Sequence, residues 1–320
     1  MPAEETAVAI GEVDIDMGPG LQHEALIYDD SAQFLAVTVP FLSAALEAGE
    51  PALVAVRQPN AELLERELGP DADGLGFVAI EEVGRNPARI VPFWRDFLGG
   101  AADGRARGIS EPVWPGREAA EIDECRRHEY LLNLAFPPAT RSSLLCAYDG
   151  SALADEVLAA IPNSHQAVLR DGAREPSGSF LPECDCYGGH LPRHPADAEA
   201  FTYDRSRLSA LRKRVKHAAE SAGIGPRRAA DLVAAASELA ANSVAHGGGS
   251  GTMYAWREGD LLLIDFEDRG TIEEPLAGRL HPAADQRGGR GLWLANQLCD
   301  LVQIRSGALG TTVRVQAGVA

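Results

Sequence analysis

The chain has 320 residues, with 47 acidic against 29 basic side chains and a formal net charge of −18. That excess speaks against non-specific binding to nucleic acid or to an anionic membrane, because attraction to phosphate needs a basic face. At 45% hydrophobic and 24% charged the composition is that of a globular protein with length for about two domains, and five cysteines, an odd number, fit a reducing compartment.

Residues 1–20 are acidic where a secretory signal would be basic and then apolar, and are expected to form a flexible N-terminus. No uninterrupted run of about 18 apolar residues follows, so no membrane segment and a cytoplasmic location are expected. HEALIY at 23–28 reads as a buried strand, and Asp30-Ser31 can cap a helix carrying Phe34, Leu35, Val39, Leu42 and Leu46 until Gly49 stops it. ALVAV at 52–56 is a second strand, Asn60 can cap the helix AELLEREL, and FVAI at 77–80 is a third strand before a helix begun by Asn86-Pro87. A loop at 111–116 leads to a helix over 117–135. Then come the strand SSLLCAY at 142–148, a helix over 151–160 and the strand HQAVL at 165–169. Strands alternating with helices of this length predict an α/β domain over 21–170, with a mostly parallel sheet covered by helices on both faces.

Residues 171–200 are rich in Pro, Gly and polar residues and predict a linker. Beyond it, Asp204 or Ser206 can cap a helix to about 222, and Gly225-Pro226 starts a second helix to about 245. TMYAW (252–256) and LLLIDF (261–266) predict a hairpin; a Gly/Pro-rich stretch, a helix at 291–299 and the strands LVQIRS and TTVRVQ follow. Residues 201–320 are therefore expected to form an α/β sandwich with helices on one face of a mixed sheet. Charge divides at the same place. From Asp197 to Ala320 there are 15 basic and 15 acidic residues, which leaves 14 basic against 32 acidic in residues 1–196. Lys213 and Lys216 are the two lysines of the chain, so no GxxxxGK[ST] phosphate loop and no kinase-type strand lysine can be written.

In SELAANSVAH, Glu238, Asn242 and His246 recur every four residues and make a polar stripe on a helix that must pack on a sheet. Such a stripe is costly unless it faces a wet cleft. Asp265-Phe-Glu-Asp268-Arg-Gly270 places acids at a strand end beside glycine. Arg287-Gly-Gly-Arg290-Gly291 precedes a helix whose free N–H groups and positive end suit phosphate, and Gly310-Thr311-Thr312 opens the last strand. In this order the four segments resemble the N, G1, G2 and G3 boxes of the GHKL (Bergerat) ATP-binding fold, and within it the RsbW-like anti-sigma-factor serine kinases.

The resemblance implies ATP and Mg²⁺. It gives Asn242 the metal, through its amide oxygen, and Glu238 the role of catalytic base. Asp268 would take the adenine amino group, with Gly270 leaving room for the ring. Arg290, Gly291 and Leu292 would close over the phosphates, and Gly310 with Thr311 or Thr312 would complete the adenine pocket. DRGTI lacks the second glycine of the fuller D-x-G-x-G pattern. Arg269 reads as a solvated loop residue and His246 as a helix-end residue. A histidine kinase would need a two-helix module with an accessible histidine; here one helix intervenes, with His217 in the run RKRVKH.

His23-Glu-Ala-Leu-Ile-Tyr28, Gly49-Glu50-Pro, Cys146-Ala-Tyr148-Asp149 and His165 together resemble the MEDS sensory domain, which implies an unknown small ligand. His23, Tyr28, Tyr148, Asp149 and His165 lie at predicted strand ends, where open α/β sheets bind ligands. In the linker, Cys184, Cys186, His190 and His194 have the ligand types for Zn²⁺ at a spacing that is not a standard finger, so a solvated loop is the favoured reading.

The whole is expected to be a cytoplasmic regulator. A sensory domain would control a serine/threonine kinase that phosphorylates an anti-anti-sigma (STAS-type) partner and sequesters a sigma factor, with no direct contact to nucleic acid or membrane. Homodimerisation is implied by the family. The alternatives are an ATP-binding interaction module without phosphoryl transfer and an atypical sensor histidine kinase.

Overall fold

The computed structural model describes residues 20–101, 104–181, 185–282 and 289–319. The stretch expected to be a flexible N-terminus, up to residue 19, and Cys184 lie outside the described residues.

The first half builds a seven-stranded sheet of order β3-β2-β4-β5-β1-β6-β7. Its strands are β1 (Gln22–Tyr28), β2 (Ala52–Val56), β3 (Gly76–Ala79), β4 (Arg107–Ser110), β5 (Ser143–Asp149), β6 (Ala167–Arg170) and β7 (Ala173–Pro176). All pairings are parallel except β6 with β7. The helices are α1 (Ser31–Ala48), α2 (Gln58–Leu68), α3 (Ile80–Val83), α4 (Ile90–Gly99), α5 (Ala119–Ala135) and α6 (Asp155–Leu158). Alternation along β1 sends Leu26 and Tyr28 into a core with Phe34 and Leu42 of α1 and Leu64 of α2, and sends Ala25 and Ile27 into a second core with Trp94 of α4 and Leu132 of α5. Both faces are thus covered, as expected.

α1 starts where the Asp30 side chain accepts from the Gln33 N–H and ends at Gly49 in the left-handed conformation. It is the one described helix long and apolar enough to cross a membrane by length and composition, and Phe34, Thr38, Leu42 and Ala45 of it are buried. Asn60 lies inside α2, which begins two residues before it, and so is not a cap. β4 is the strand the sequence hides: RGIS has no alternation to read, yet it sits between β2 and β5. Its Gly108 admits the Trp94 ring, since a Cβ there would meet Trp94 Cζ3 at 2.5 Å.

The second half forms a five-stranded sheet of order β11-β12-β10-β9-β8, with β8 (Glu199–Asp204), β9 (Ser250–Glu258), β10 (Leu261–Asp268), β11 (Leu301–Gly307) and β12 (Gly310–Gly318). Every pairing is antiparallel, where a mixed sheet was expected. β9 with β10 and β11 with β12 are hairpins, and β8, whose first two residues alone fall in the stretch read as linker, pairs antiparallel with the β9 edge after the chain returns through helices on one face. Those helices are α7 (Leu208–Ala222), α8 (Pro226–His246) and α9 (Arg290–Leu298), packed on Phe201, Met253, Ile264, Phe266, Val302 and Val315. β7 also lies in the expected linker, paired back on β6.

The opposite face of this sheet is polar and yet buried: Asp265, Gln303, Arg305, Arg314 and Gln316 are all less than a tenth exposed. The linker and α5 cover it. Arg314 forks onto Asp265 at 2.7 and 2.8 Å and donates to the Pro192 carbonyl, while the His194 ring stacks on Tyr254 at 3.8 Å.

Candidate nucleotide site and a buried polar cluster

α8 buries Leu232, Ala235, Ala236, Leu239 and Ala240 against the sheet, which turns Glu238, Asn242 and His246 outward along one line about 12 Å long. At the Glu238 end lies a cavity of about 600 Å³, also lined by His281, Pro282, Arg290, Trp293 and Leu294. Half way along, the first turn of α9 presses on the stripe. A Cβ on Gly291 would meet Asn242 Nδ2 at 2.7 Å and Glu238 Cβ at 3.2 Å, so only glycine lets the two helices approach this closely. Leu292 packs partly into the core and Arg290 is exposed.

At the His246 end, strand register brings Asp268 opposite Thr311. Asp268 Oδ1 accepts from the Gly270 N–H at 2.8 Å, and Thr311 Oγ1 donates to the Gly270 carbonyl at 2.8 Å. A Cβ on Gly270 would meet the His246 carbonyl at 2.7 Å, and one on Gly310, at φ +118°, would meet the Asp268 carbonyl at 2.1 Å. These glycines hold Asp268 against the end of α8.

Alternation separates the two threonines. Thr311 shares the helix-covered face with Asp268, whereas Thr312 pairs with Glu267 and Arg305 on the other face. Thr312 is therefore removed from the candidate set. His246, Arg269 and His217 are exposed. An amide oxygen and a carboxylate one turn apart, above a cavity of this volume, are the donor chemistry and the room that a nucleotide with a hard divalent cation requires.

The sensory candidates divide between the two faces of the first sheet. Tyr28 belongs to the α1/α2 face, where its hydroxyl accepts from Asn60 Nδ2 at 2.9 Å; Asn60 Nδ2 also donates to Glu111, which Arg57 Nε grips at 2.6 Å. Burial first and then the Glu111 charge push the Tyr28 hydroxyl up to about 12. Asp149 sits at the same strand edge and accepts from Ser151.

His23, Tyr148 and His165 converge on the other face, under α5: His23 stands at the start of β1 and His165 just before β6, whereas Tyr148 stands near the carboxyl end of β5. They meet Cys146 and Glu129, all four of His23, Glu129, Cys146 and His165 being buried with their ligand atoms within 4.8 Å of one another. Glu129 is the residue that sequence reading missed. Its signal lay in the spacing: Cys125, Glu129 and Leu132 form one buried stripe of α5, so a carboxylate occupies a core position. Burial opposes its ionisation but is outweighed by the His165 and His23 imidazoles that face it, which hold the carboxyl well below its usual range. Burial pushes the Cys146 thiol and the Tyr148 hydroxyl well up.

Of the linker candidates, Cys186 is disulfide-bonded, His190 is exposed and His194 is stacked on Tyr254. The described residues of that set do not converge.

Residues 22–166 match the family model of the methanogen/methylotroph, DcmR sensory domain, MEDS, and residues 201–317 match that of the histidine kinase-like ATPase domain. The chain joins a MEDS domain to a histidine kinase-like ATPase domain. No curated protein matches it. Among solved structures, the RsbU and RsbW domains of a Mycobacterium tuberculosis protein are similar over 39% of this chain and 33% of that one, at 24% identity and a TM-score of 0.29. The chain thus spans about a third of that structure's length.

The MEDS and ATPase domains meet through charged groups that the sequence did not single out. Arg305 of β11 donates to Glu124 of α5 at 2.8 Å and to Asp123 at 2.7 Å, and buried Arg279 lies 4.0 Å from the same Glu124 carboxylate. Leu276 and Leu280, on the segment after Gly270, pack into the α4/α5 core of the MEDS domain. Asn86 and Arg89 donate to the carbonyls of Asn296, Gln297 and Cys299 at the end of α9.

Proposed function

We propose that this chain is a cytoplasmic regulator in which the MEDS domain controls an ATP-dependent protein serine/threonine kinase of the anti-sigma-factor type. The observation that carries the reading is the placement of Glu238 and Asn242 one turn apart on α8, between the Arg290-lined cavity and the Asp268–Gly270–Thr311 corner. Bound ATP with Mg²⁺ supplies the phosphoryl group and the cation that offsets its charge. Asn242 offers the amide oxygen such a cation takes. Asp268 accepts the adenine amino hydrogen bond and Thr311 lines the same corner, with Gly270 and Gly310 leaving the approach open. Arg290 and the N–H groups of the first turn of α9 oppose phosphate charge. Glu238 takes the proton from the attacking serine or threonine hydroxyl of an anti-anti-sigma partner. The same domain binds a sigma factor, and phosphorylation of the antagonist leaves that complex intact.

Control by the MEDS domain is supported by the contacts between domains. Leu276, Arg279 and Leu280 belong to the segment that leads into α9, so a shift of α5 acts on the helix beside Asn242. Incubation of the full chain with labelled ATP and the antagonist is expected to label a hydroxyl residue in an acid-stable bond. Glu238→Ala and Asn242→Ala are each expected to lower the labelling rate by at least about 100-fold. An acid-labile label on the chain itself would point to a histidine kinase, and nucleotide binding with partner association but no label to an interaction module; either result rejects the serine/threonine kinase reading.

A further inference from the structure

The buried cluster under α5 leaves its hydrogen bonding unresolved by protein groups alone. Asn133 Nδ2 donates to the carbonyls of Glu129 and Ser164, so Asn133 Oδ1 is an acceptor, and the His23 Nδ1 facing it at 3.1 Å must carry a hydrogen. His165 Nδ1 faces the Ile161 carbonyl at 2.8 Å and must likewise be a donor. In the neutral imidazole both Nε2 atoms then present lone pairs to the cluster centre. There His23 Nε2 lies 3.4 Å and His165 Nε2 3.1 Å from Glu129 Oε2, and His23 Nε2 lies 3.3 Å from Cys146 Sγ. His165 Nε2 makes no hydrogen bond, nor does Glu129 Oε1, although both residues are almost wholly buried. Satisfying both rings with protons instead would put two imidazolium charges side by side, with ring centroids 4.3 Å apart, on two fully buried side chains.

We propose that His23 Nε2, His165 Nε2, the Cys146 thiolate and the Glu129 carboxylate bind one divalent transition metal ion of the zinc class. Two imidazoles, a thiolate and a carboxylate are the ligand set of a borderline-soft cation, and tetrahedral coordination with ordinary bond lengths separates ligand atoms by about 3.3 to 3.6 Å, close to the three distances above. Thiolate and carboxylate together neutralise the ion, so the buried centre carries no net charge; the Cys146 proton leaves as the metal enters. The outer contacts are those a metal site uses to fix its ligands. Asn133 and Ile161 hold the imidazole tautomers, and the Tyr148 hydroxyl donates to Glu129 Oε2 at 3.0 Å. A cavity of about 20 Å³, lined in part by Glu129, Tyr148 and Ile161, adjoins the cluster and has room for one water-sized molecule. The site does not depend on phosphoryl transfer in the other domain.

The test uses the full chain, stripped with chelator and titrated with Co²⁺ and then Zn²⁺. The expected result is one Co²⁺ per chain with a thiolate-to-cobalt charge-transfer band, displaced by Zn²⁺. The band is lost in Cys146→Ser, and affinity falls at least about tenfold in His165→Gln. His194→Ala should bind as the parent does. X-ray absorption of the zinc-loaded parent, which needs no variant to fold, should give one sulfur at about 2.3 Å and three nitrogen or oxygen ligands at about 2.0 to 2.2 Å. A parent chain without the charge-transfer band, a band that survives in Cys146→Ser, binding lost in His194→Ala, or a metal shell without sulfur would each overturn the proposal.

Discussion

Gly310 shows how much one missing Cβ can decide. Its φ of +118° and the Asp268 carbonyl lying 2.1 Å from where a Cβ would stand leave no room for alanine. Gly310→Ala should cost about 1–3 kcal/mol from backbone strain alone, and move Asp268 as well. The expected outcome is a Tm lower by roughly 5 °C together with nucleotide affinity reduced at least about tenfold, read by calorimetry and by equilibrium binding. A chain that loses stability but binds nucleotide as before would separate Gly310 from the adenine corner.

His128 makes a different kind of prediction. It is fully buried, its Nδ1 lies 2.5 Å from the Glu124 carbonyl, and its Nε2 has no partner. Burial, reinforced by the Arg279 charge, holds its pKa well below the ordinary histidine value. The unfolded chain takes up a proton near pH 6.5 that the folded chain refuses. Stability from this group is therefore complete above about pH 6.5 and declines as pH falls below it, by up to tenfold in the unfolding constant per pH unit. Denaturant unfolding between about pH 5 and pH 8 should show this decline in the parent and a decline smaller by one proton in His128→Gln.

Helix α9 depends on both domains. Its first turn needs Gly291 against Asn242; at its other end the Cys299 N–H meets the Ala295 carbonyl, and the Asn296 and Gln297 carbonyls are met by Asn86 and Arg89. Gly278, at φ +72°, lies so close to Leu292 that its own Cβ would meet Leu292 Cβ at 2.6 Å, and its carbonyl accepts from Asn296 Nδ2. Arg89→Ala removes a charged donor from three carbonyls. It should destabilise the chain by about 2–3 kcal/mol and increase amide exchange in α9 before α8. Uniform loss of protection over both helices would mean that Arg89 stabilises the domain as a whole. α5 is the counterpart in the MEDS domain. It carries Glu129 in the buried cluster and Glu124, five residues earlier, in the ion pairs to Arg305 and Arg279.

That arrangement gives the two domains a shared rigid element. Zinc added to metal-free chain is expected to alter the labelling rate of the antagonist in the parent, and to alter it less than half as much in Arg305→Ala, with zinc affinity unchanged. Equal zinc responses in the two would show that the Glu124–Arg305 pair carries no coupling. The charge of −18 has its place in the same picture: residues 197–320 are balanced, so the nucleotide domain presents no overall repulsion to an anionic ligand, and the excess lies in residues 1–196.

The polar stripe of α8 was legible because a helix repeats every four residues whatever surrounds it; Glu238, Asn242 and His246 declare a common face before any fold is known. Box order likewise singled out Asp268 and Gly291 as candidates, since glycine and a strand-end acid are local features. Strand alternation, once register was fixed, chose Thr311 over Thr312, and no local signal could have made that choice. β4 stayed hidden because four residues around a glycine carry no period, β7 because an edge strand in a Pro/Gly-rich stretch looks like linker, and β8 because it straddles the end of that stretch. The buried cluster draws on β1, α5, β5 and the turn before β6, bringing together residues as distant in the chain as His23 and His165, and the domain contact pairs α5 with β11. Sequence alone determined which residues share a helix face or a turn, because those relations are set by backbone geometry over a few residues. Only the tertiary structure decided which carboxylate meets which imidazole or guanidinium, because those distances are set by sheet order and packing.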